Sequence, residues 1–261
     1  MCTRRGDAAA GAGAGTVAKS GRTASTPEYR EFNDEAADGY AYRGDGAEAE
    51  AFFMRTTNVN EIIESMTDEE KALFDKWTRG AFMARGKALW VPFAERTPAI
   101  KKATRLIDGV LDRATLTEGI VVTRSGSSLL LGISHPRPVG EPDERVHSLE
   151  EITALKGAVI KATGYMSTGA AKQGLAVSPS DVRRKNVEYR FKIPAGSKGA
   201  GMWIGDKRIN PTWGSRQREF MINRDTKFRV GDARYDAARG VYVVDMEYVG
   251  RDEHDYGGRR R

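Results

Sequence analysis

A carboxylate and an amide stand two positions apart in the stretch SRQREFMINRD, as Glu219 and Gln217. The apolar run that follows Glu219 predicts a strand, and side chains two apart on a strand point to the same face. Gln217 and Glu219 therefore project together, and Glu219 heads a row that faces a cleft or the inner face of a sheet. The preceding loop, GDKRINPTWGS, presents Trp213 on a Gly and Pro scaffold, which favours contact with a partner.

In the stretch VVTRSGSS, Arg124 lies at the end of an otherwise apolar predicted strand. A guanidinium in that position is costly without a partner, so Arg124 needs an anion. With Ser125 and Gly126 beside it, a phosphate or pyrophosphate fits, because glycine lets the backbone approach closely. The alternative is an ordinary structural ion pair at a strand end.

Three hydroxyl groups follow another predicted strand, in the stretch KATGYMSTGAA, as Tyr165, Ser167 and Thr168. Hydroxyls in this position can fix a neighbouring carboxylate or bond a ribose. The alternative is that they cap a helix or close a turn, as Ser and Thr often do.

Charge is distributed unevenly along the 261 residues, whose net charge is +6. Residues 1–50 hold six Lys and Arg against nine Asp and Glu, so residues 51–261 hold 42 minus 6, or 36, against 36 minus 9, or 27. A basic body of this kind favours an anionic ligand or partner. The single cysteine excludes an internal disulfide, and three histidines scattered along the chain make a zinc site or a histidine-based triad unexpected, so we expect no metal.

Residues 1–55 are rich in Ala, Gly, Ser, Thr and acidic residues, which predicts a flexible low-complexity tail. Residues 253–261 are interpreted as a basic C-terminal tail. No apolar run approaches the roughly 18 residues of a membrane span, and no signal-peptide core is present near the N-terminus. We therefore expect no membrane partner, and a protein that is cytoplasmic or delivered into a host cell by a route that needs no Sec signal.

Helical signals come first in the remaining body, residues 56–252, and strand signals follow. Thr67 and Glu70 have the spacing of a capping box, Thr97 and Pro98 can begin a second helix, and Ser148 a short third one. Alternating apolar runs such as VEYRFKIP, REFMI and VYVVDMEYV then predict a series of short strands, with a hairpin loop at DAARG. The order predicts an α+β domain.

The series of segments resembles the ADP-ribosylating exoenzyme family, the mono-ADP-ribosyltransferases of the Arg, Ser-Thr-Ser, Glu class. Arg at a strand end, Tyr-Met-Ser-Thr, IPAGSKGAGMWIG, a loop, Gln-x-Glu and a closing strand pair occur in the family's order. The resemblance covers about residues 62–249, with Gly169 in place of the last Ser of Ser-Thr-Ser. It implies a helical N-terminal part packed on a mixed, split β-sandwich, with NAD bound between two sheets.

The resemblance also implies roles for individual residues. Glu219 corresponds to the catalytic glutamate, which stabilises the oxocarbenium-like state as the nicotinamide bond of NAD breaks. Gln217 would face the acceptor and Trp213 the protein substrate, and Gln in place of Glu is similar to members that modify acceptors other than arginine. Arg124 would hold the NAD phosphates and Ser167 would orient Glu219. The implied NAD site comprises Arg124, Ser125, Gly126, Tyr165, Ser167, Thr168 and Glu219.

The function implied is transfer of ADP-ribose from NAD, as cosubstrate and without a metal, to a host macromolecule by a secreted effector or a phage-delivered enzyme. An NAD glycohydrolase on the same scaffold is a close variant, since water can replace the acceptor. The alternative is a noncatalytic, virion-associated module whose basic body and terminal GGRRR contact nucleic acid.

Overall fold

The computed structural model describes residues 28–32, 34–36, 42–44, 46–78, 93–135, 145–170, 186–211 and 218–256. The α-helices in these ranges are α1 (Gly46–Thr56), α2 (Val59–Ser65), α3 (Asp68–Thr78), α4 (Pro98–Leu111) and α5 (Leu149–Thr153). Short 3-10 helices cover Phe93–Glu95 and Ser128–Leu131. The strands are β1 (Tyr29–Arg30), β2 (Asp34–Ala36), β3 (Tyr42–Gly44), β4 (Gly119–Gly126), β5 (Val159–Lys161), β6 (Met166–Gly169), β7 (Val187–Ile193), β8 (Gly201–Trp203), β9 (Glu219–Ile222), β10 (Thr226–Asp236) and β11 (Val241–Arg251).

The helix starts follow the capping signals of the sequence. At α3 the Thr67 amide donates to Glu70 Oε2 over 2.7 Å, and the Glu70 amide donates to Thr67 Oγ1 over 3.2 Å, which is a reciprocal capping box. At α4 the hydroxyl of Thr97 accepts a hydrogen bond from the Ile100 amide, and Pro98 occupies the first turn. Both helices begin where their caps predict.

One mixed sheet contains nine strands in the order β5-β10-β11-β7-β4-β6-β9-β8, with the short β1 added beside β4. The β7–β11 and β1–β4 pairs are parallel, and the other pairs are antiparallel. β4 and β7 pair along seven residues, whereas β4 and β6 meet only where Thr123 opposes Gly169. This narrow junction divides the sheet into a large part, β5 to β4, and a small part, β6-β9-β8. The α+β fold with a split β-sandwich is confirmed.

The small part of the sheet is covered on both faces, which follows from the two-residue period of its strands. Trp203 and Phe220, which oppose each other on β8 and β9, belong to a buried core that also contains Phe191 of the large part. The next pair, Met202 and Met221, belongs to a second core built with α2, α3 and α4. Among the described residues, none of the helices has the length and apolar character of a membrane span.

Parts of the two segments interpreted as tails belong to the fold, which corrects both boundaries. Within residues 1–55, Phe32, Phe52 and Phe53 are buried, and the Phe53 ring stacks on Trp203 with centroids 4.9 Å apart. At the other end, His254 is buried and the Tyr256 hydroxyl donates to Asp108. In the described part of residues 1–55, a few aromatic residues that the Ala, Gly and acidic composition conceals bury apolar surface in the core, together with Ala49.

Candidate active site

Glu219 begins β9 at the end of the small sheet part, and its side chain is only 3% exposed. Across the β6–β9 pair it lies directly opposite Gly169, while Ser167 lies opposite Met221. Directly opposed residues share a face, so Ser167 and Glu219 lie on the same face. Along the strands they are separated by the Thr168–Phe220 pair, which faces the other way. Because Gly169 has no side chain, nothing on β6 stands directly over the carboxylate. The predicted proximity of a hydroxyl to Glu219 agrees with this register.

Arg124 connects the two parts of the sheet beside this carboxylate. It lies on β4, is half-buried, and its Nη1 donates to the carbonyl oxygen of Ser167 over 2.6 Å. Burial lowers the pKa of the Arg124 guanidinium, and the negative charge of Glu219 partly offsets this effect. The strand-end arginine, the Ser167 backbone and the buried glutamate therefore form one cluster at the junction of the two sheet parts.

The end of β4 packs closely against Tyr189. A side chain at Gly126 would place its Cβ 3.0 Å from a ring carbon of Tyr189, and the Tyr189 hydroxyl donates to the Ser127 carbonyl over 2.7 Å. Ser125, between Arg124 and Gly126, is half-buried. A side chain at position 126 would require the tyrosine ring to shift by a few tenths of an ångström, so this position serves packing in addition to any ligand.

Two residues assigned to the NAD site direct their hydroxyls elsewhere. Thr168 lies on the opposite face from Glu219, and its Oγ1 donates to the Phe220 carbonyl over 2.6 Å, which ties β6 to β9. Tyr165 precedes β6, and its hydroxyl donates to Asp108 of α4 over 2.6 Å. The expectation that Tyr165 points to the ligand cluster is therefore corrected, because its ring belongs to the core beneath the helices.

Gln217 and Trp213 lie outside the described residues, so their assigned roles remain predictions. The residue that joins Gln217 to the site is described. Arg218 has a φ of 43°, a left-handed conformation that is uncommon for a residue with a side chain. The chain thus enters β9 through a strained backbone position immediately before the glutamate, and such positions concentrate at functional sites.

A buried ionic network behind β9 was missed in the sequence. Arg224, in the turn after β9, donates from Nε and Nη2 to both carboxylate oxygens of Asp108, and both side chains are almost fully buried. Tyr165 and Tyr256 donate to the same carboxylate. The available signal was Asp108 itself, an acid between Ile107 and Val110 on the apolar face of α4.

His254 links the C-terminal segment to this network. Its Nδ1 lies 3.2 Å from Asp225 Oδ2 and its Nε2 lies 3.2 Å from Asp112 Oδ1. Burial lowers the pKa of His254, but the hydrogen bonds to Asp112 and Asp225 and the charge of Asp108 outweigh burial and raise it above 6.5. The guanidinium of Arg224, in the turn after β9, acts in the opposite direction, and Nη1 of Arg251 on β11 lies 2.8 Å from His254 Nε2. Tyr256 also packs on the ring.

The free energy of unfolding is therefore expected to decline as the pH rises above about 6.5. A raised histidine pKa contributes stability that is fully present below the unfolded-state pKa and is lost as the pH passes through the folded-state pKa. The pKa values of Asp112 and Asp225 are lowered, so these carboxylates stabilise the folded protein at neutral pH. That stabilisation is lost as the pH falls below about 4 and the carboxylates become protonated. Urea unfolding from about pH 5 to about pH 9 should show the decline in wild type and not in His254→Gln. Equal declines in both proteins would contradict this assignment.

Two histidines described in the sequence analysis as scattered are neighbours in space. The rings of His135 and His147 stack with centroids 3.9 Å apart and an interplanar angle of 11°. Glu151 of α5 lies beside them, with its Oε2 3.2 Å from His135 Nε2. The cluster is formed by segments on either side of residues 136–144, so linear spacing gave no indication of it.

Comparison with known proteins places this site in a family. A sequence model described as ADP-ribosyltransferase exoenzyme matches residues 51–249. No curated protein matches the chain in sequence. Among solved structures, C3stau2 from S. aureus with NAD is 14% identical, with a TM-score of 0.61 over 86% of this chain and 100% of that chain.

Two further structures show the same fold. Plx2a, an ADP-ribosyltransferase toxin from Paenibacillus larvae, is 20% identical, with a TM-score of 0.61 over 78% of this chain and 95% of that chain. The Clostridium limosum C3 exoenzyme is 18% identical, with a TM-score of 0.60 over 85% of this chain and 98% of that chain. At these identities the structures establish the common fold, and the sequence model establishes the relationship. The chain therefore belongs to the ADP-ribosyltransferase exoenzyme family and is an NAD-dependent ADP-ribosyltransferase.

Proposed function

We propose that the protein transfers ADP-ribose from NAD to a side chain of a host protein and releases nicotinamide. In this reaction the bond between nicotinamide nitrogen and the ribose breaks, and a bond from the same ribose carbon to the acceptor atom forms. The observation that carries the proposal is the cluster of Glu219, Arg124 and Ser167 at the junction of the two sheet parts. It combines a buried carboxylate with a guanidinium, the groups needed for a developing cation and for a pyrophosphate.

Each residue of the cluster has a chemical task in this proposal. Glu219 stabilises positive charge on the ribose as nicotinamide leaves, and its burial strengthens that interaction because the local dielectric is low. Arg124 donates one N–H to the Ser167 carbonyl, and a guanidinium has further donors for the NAD phosphates. Ser167, on the same face as Glu219, orients the carboxylate.

The test is incubation of wild type and Glu219→Gln with labelled NAD, with and without a host-cell lysate. Label on a discrete protein band only with wild type supports transfer to a protein, and mass spectrometry then identifies the modified side chain. Nicotinamide release without transfer under every lysate condition supports the glycohydrolase variant instead. If neither NAD cleavage nor NAD binding is measured, the proposed function is wrong. For the noncatalytic nucleic-acid-binding alternative, the described residues offer no specific observation.

The acceptor is proposed to be a side chain other than arginine, because Gln217 stands where a second carboxylate would favour arginine. Gln217→Ala is expected to reduce label transfer by about tenfold or more while nicotinamide release in the absence of acceptor changes less than about twofold, since a lost hydrogen bond to the acceptor costs about 1.5 kcal/mol. Parallel assays of transfer and of NAD cleavage measure both rates. A matched fall in the two rates would assign Gln217 to NAD binding, and would contradict acceptor recognition.

The place of action is proposed to be the interior of a host cell. The likeness to Plx2a, which is an ADP-ribosyltransferase toxin, supports a toxin or effector role. Fractionation of host cells exposed to the producing organism, followed by detection of the protein and of labelled target, tests this proposal. Confinement of both to the producing cells would contradict it.

A further inference from the structure

His135, His147 and Glu151 form a cluster of potential metal ligands on the large sheet part. One ligand atom from each residue lies within 4.8 Å of the others; His147 is exposed, and His135 and Glu151 are half-buried. The two imidazole rings are stacked, and His135 Nε2 lies 3.2 Å from Glu151 Oε2. Two imidazoles and one carboxylate thus converge on one small volume at the protein surface.

Neighbouring hydrogen bonds hold these ligands in place. The amide of His147 donates to Glu151 Oε2 over 3.2 Å, and the carbonyl of His147 accepts from the Tyr242 hydroxyl over 3.1 Å. One residue earlier, the Val146 amide and carbonyl both bond to the side chain of Asn186, which precedes β7. On the other side, the Ser128 hydroxyl donates to the Ile133 carbonyl and fixes the turn before His135. Backbone positions fixed in this way reduce the conformational entropy that is lost when the side chains bind a ligand.

The donor chemistry matches a borderline divalent cation. Imidazole nitrogen and carboxylate oxygen are common ligands of Zn²⁺, and two histidines with one glutamate form a three-ligand set that leaves a fourth position open. Ligand atoms bound about 2.0–2.1 Å from one tetrahedral Zn²⁺ lie about 3.3 Å apart. The ligand atoms now lie within 4.8 Å of one another, and rotation of the imidazole rings out of their stack would bring them to that separation with both lone pairs directed at one ion.

We propose that His135, His147 and Glu151 bind Zn²⁺, which ties the segment after β4 to the start of α5. The ion would close the connection formed by residues 136–146, and closing a chain segment reduces the entropy of the unfolded state. The site lies beyond the end of β4, where Val187 opposes Gly126, so it braces the strand that carries Arg124. The inference goes beyond the proposed ADP-ribosyl transfer and does not depend on it.

The test uses full-length protein without a polyhistidine tag and with Cys2→Ser as a common background, so that the thiol contributes no binding. Isothermal titration with Zn²⁺ should give one site per chain in this background. His135→Ala, His147→Ala and Glu151→Gln should each weaken it by at least about tenfold, since loss of even an outer-shell partner costs about 10–100-fold in affinity. Glu150→Gln, which alters the adjacent exposed carboxylate of α5, is the matched control and should bind as the background protein does.

Absorption of bound Co²⁺ provides a second measurement on the same proteins. A tetrahedral site with two imidazoles should give visible bands that the His147→Ala variant lacks, and circular dichroism should show that this exposed substitution leaves the fold intact. Absence of Zn²⁺ binding to the background protein overturns the proposal. So does equal binding by the background protein and all three ligand variants. NAD cleavage plays no part in either readout, so a failed metal site and a failed transferase assignment are distinguishable.

Discussion

Replacing Glu219 by Gln is expected to lower the rate of NAD cleavage by about 10²–10³-fold, the usual effect of removing one group that stabilises transition-state charge. The carboxylate is buried at the start of β9, where a negative charge interacts strongly with a developing cation. Glutamine has nearly the same shape, so the substitution removes charge and changes little else. Nicotinamide release under single-turnover conditions measures the chemical step directly.

Two controls separate loss of chemistry from loss of structure. Glu247→Gln removes a carboxylate from an exposed position on β11 and should keep wild-type activity. NAD affinity of Glu219→Gln, measured by titration, should change far less than the rate, because the glutamate acts mainly on the transition state. A variant that retains activity within about threefold of wild type would remove Glu219 from the mechanism.

Substituting Asp108 by Ala is expected to reduce the free energy of unfolding by about 3–5 kcal/mol, the cost of removing one partner from a buried ion pair. The change leaves the guanidinium of Arg224 buried with Asp225 as its remaining carboxylate, and it removes the acceptor of Tyr256 and one of the two acceptors of Tyr165. Because Arg224 lies two residues after the end of β9, the end of the strand that begins with Glu219 should also loosen. Urea or thermal unfolding measures the loss.

The matched control for this prediction is an exposed ion pair. Asp232→Ala breaks the Lys156–Asp232 pair, whose side chains are 62% and 82% exposed, and should leave the midpoint of urea unfolding almost unchanged. Adding Arg224→Met to Asp108→Ala should restore part of the lost stability, because it removes a buried charge that has lost its bidentate partner. Similar losses of stability in Asp108→Ala and Asp232→Ala would contradict the prediction that the buried network contributes more to the free energy of unfolding than an exposed ion pair does.

The features that the sequence predicted correctly depend on local geometry. Thr67 and Glu70 begin α3, and Val187, Tyr189, Phe191 and Ile193 share the buried face of β7, because caps and strand alternation involve residues only a few positions apart. The same rule places Ser167 and Glu219 on one face once their strands pair. Prediction of the family rested on the order of such segments.

Other features depend on which distant residues the topology brings together. The Tyr165 hydroxyl donates to Asp108, so it does not lie in the predicted ligand cluster. The packing of α4 on the small sheet part brings that acceptor to Tyr165. The Phe53 ring stacks on Trp203, and the His135 ring stacks on His147. These residues are far apart in the chain, so no local sequence pattern indicates either contact.

The sequence by itself thus determined the α+β class, the starts of α3 and α4, the strand faces and the order of the segments typical of the family, because all of these arise from interactions between near neighbours in the chain. The tertiary structure decided the partners of buried charges, the extent of the folded body and the histidine pair. These depend on the register at which β4, β6 and β9 meet and on the helices that cover them, and register is a property of the whole core.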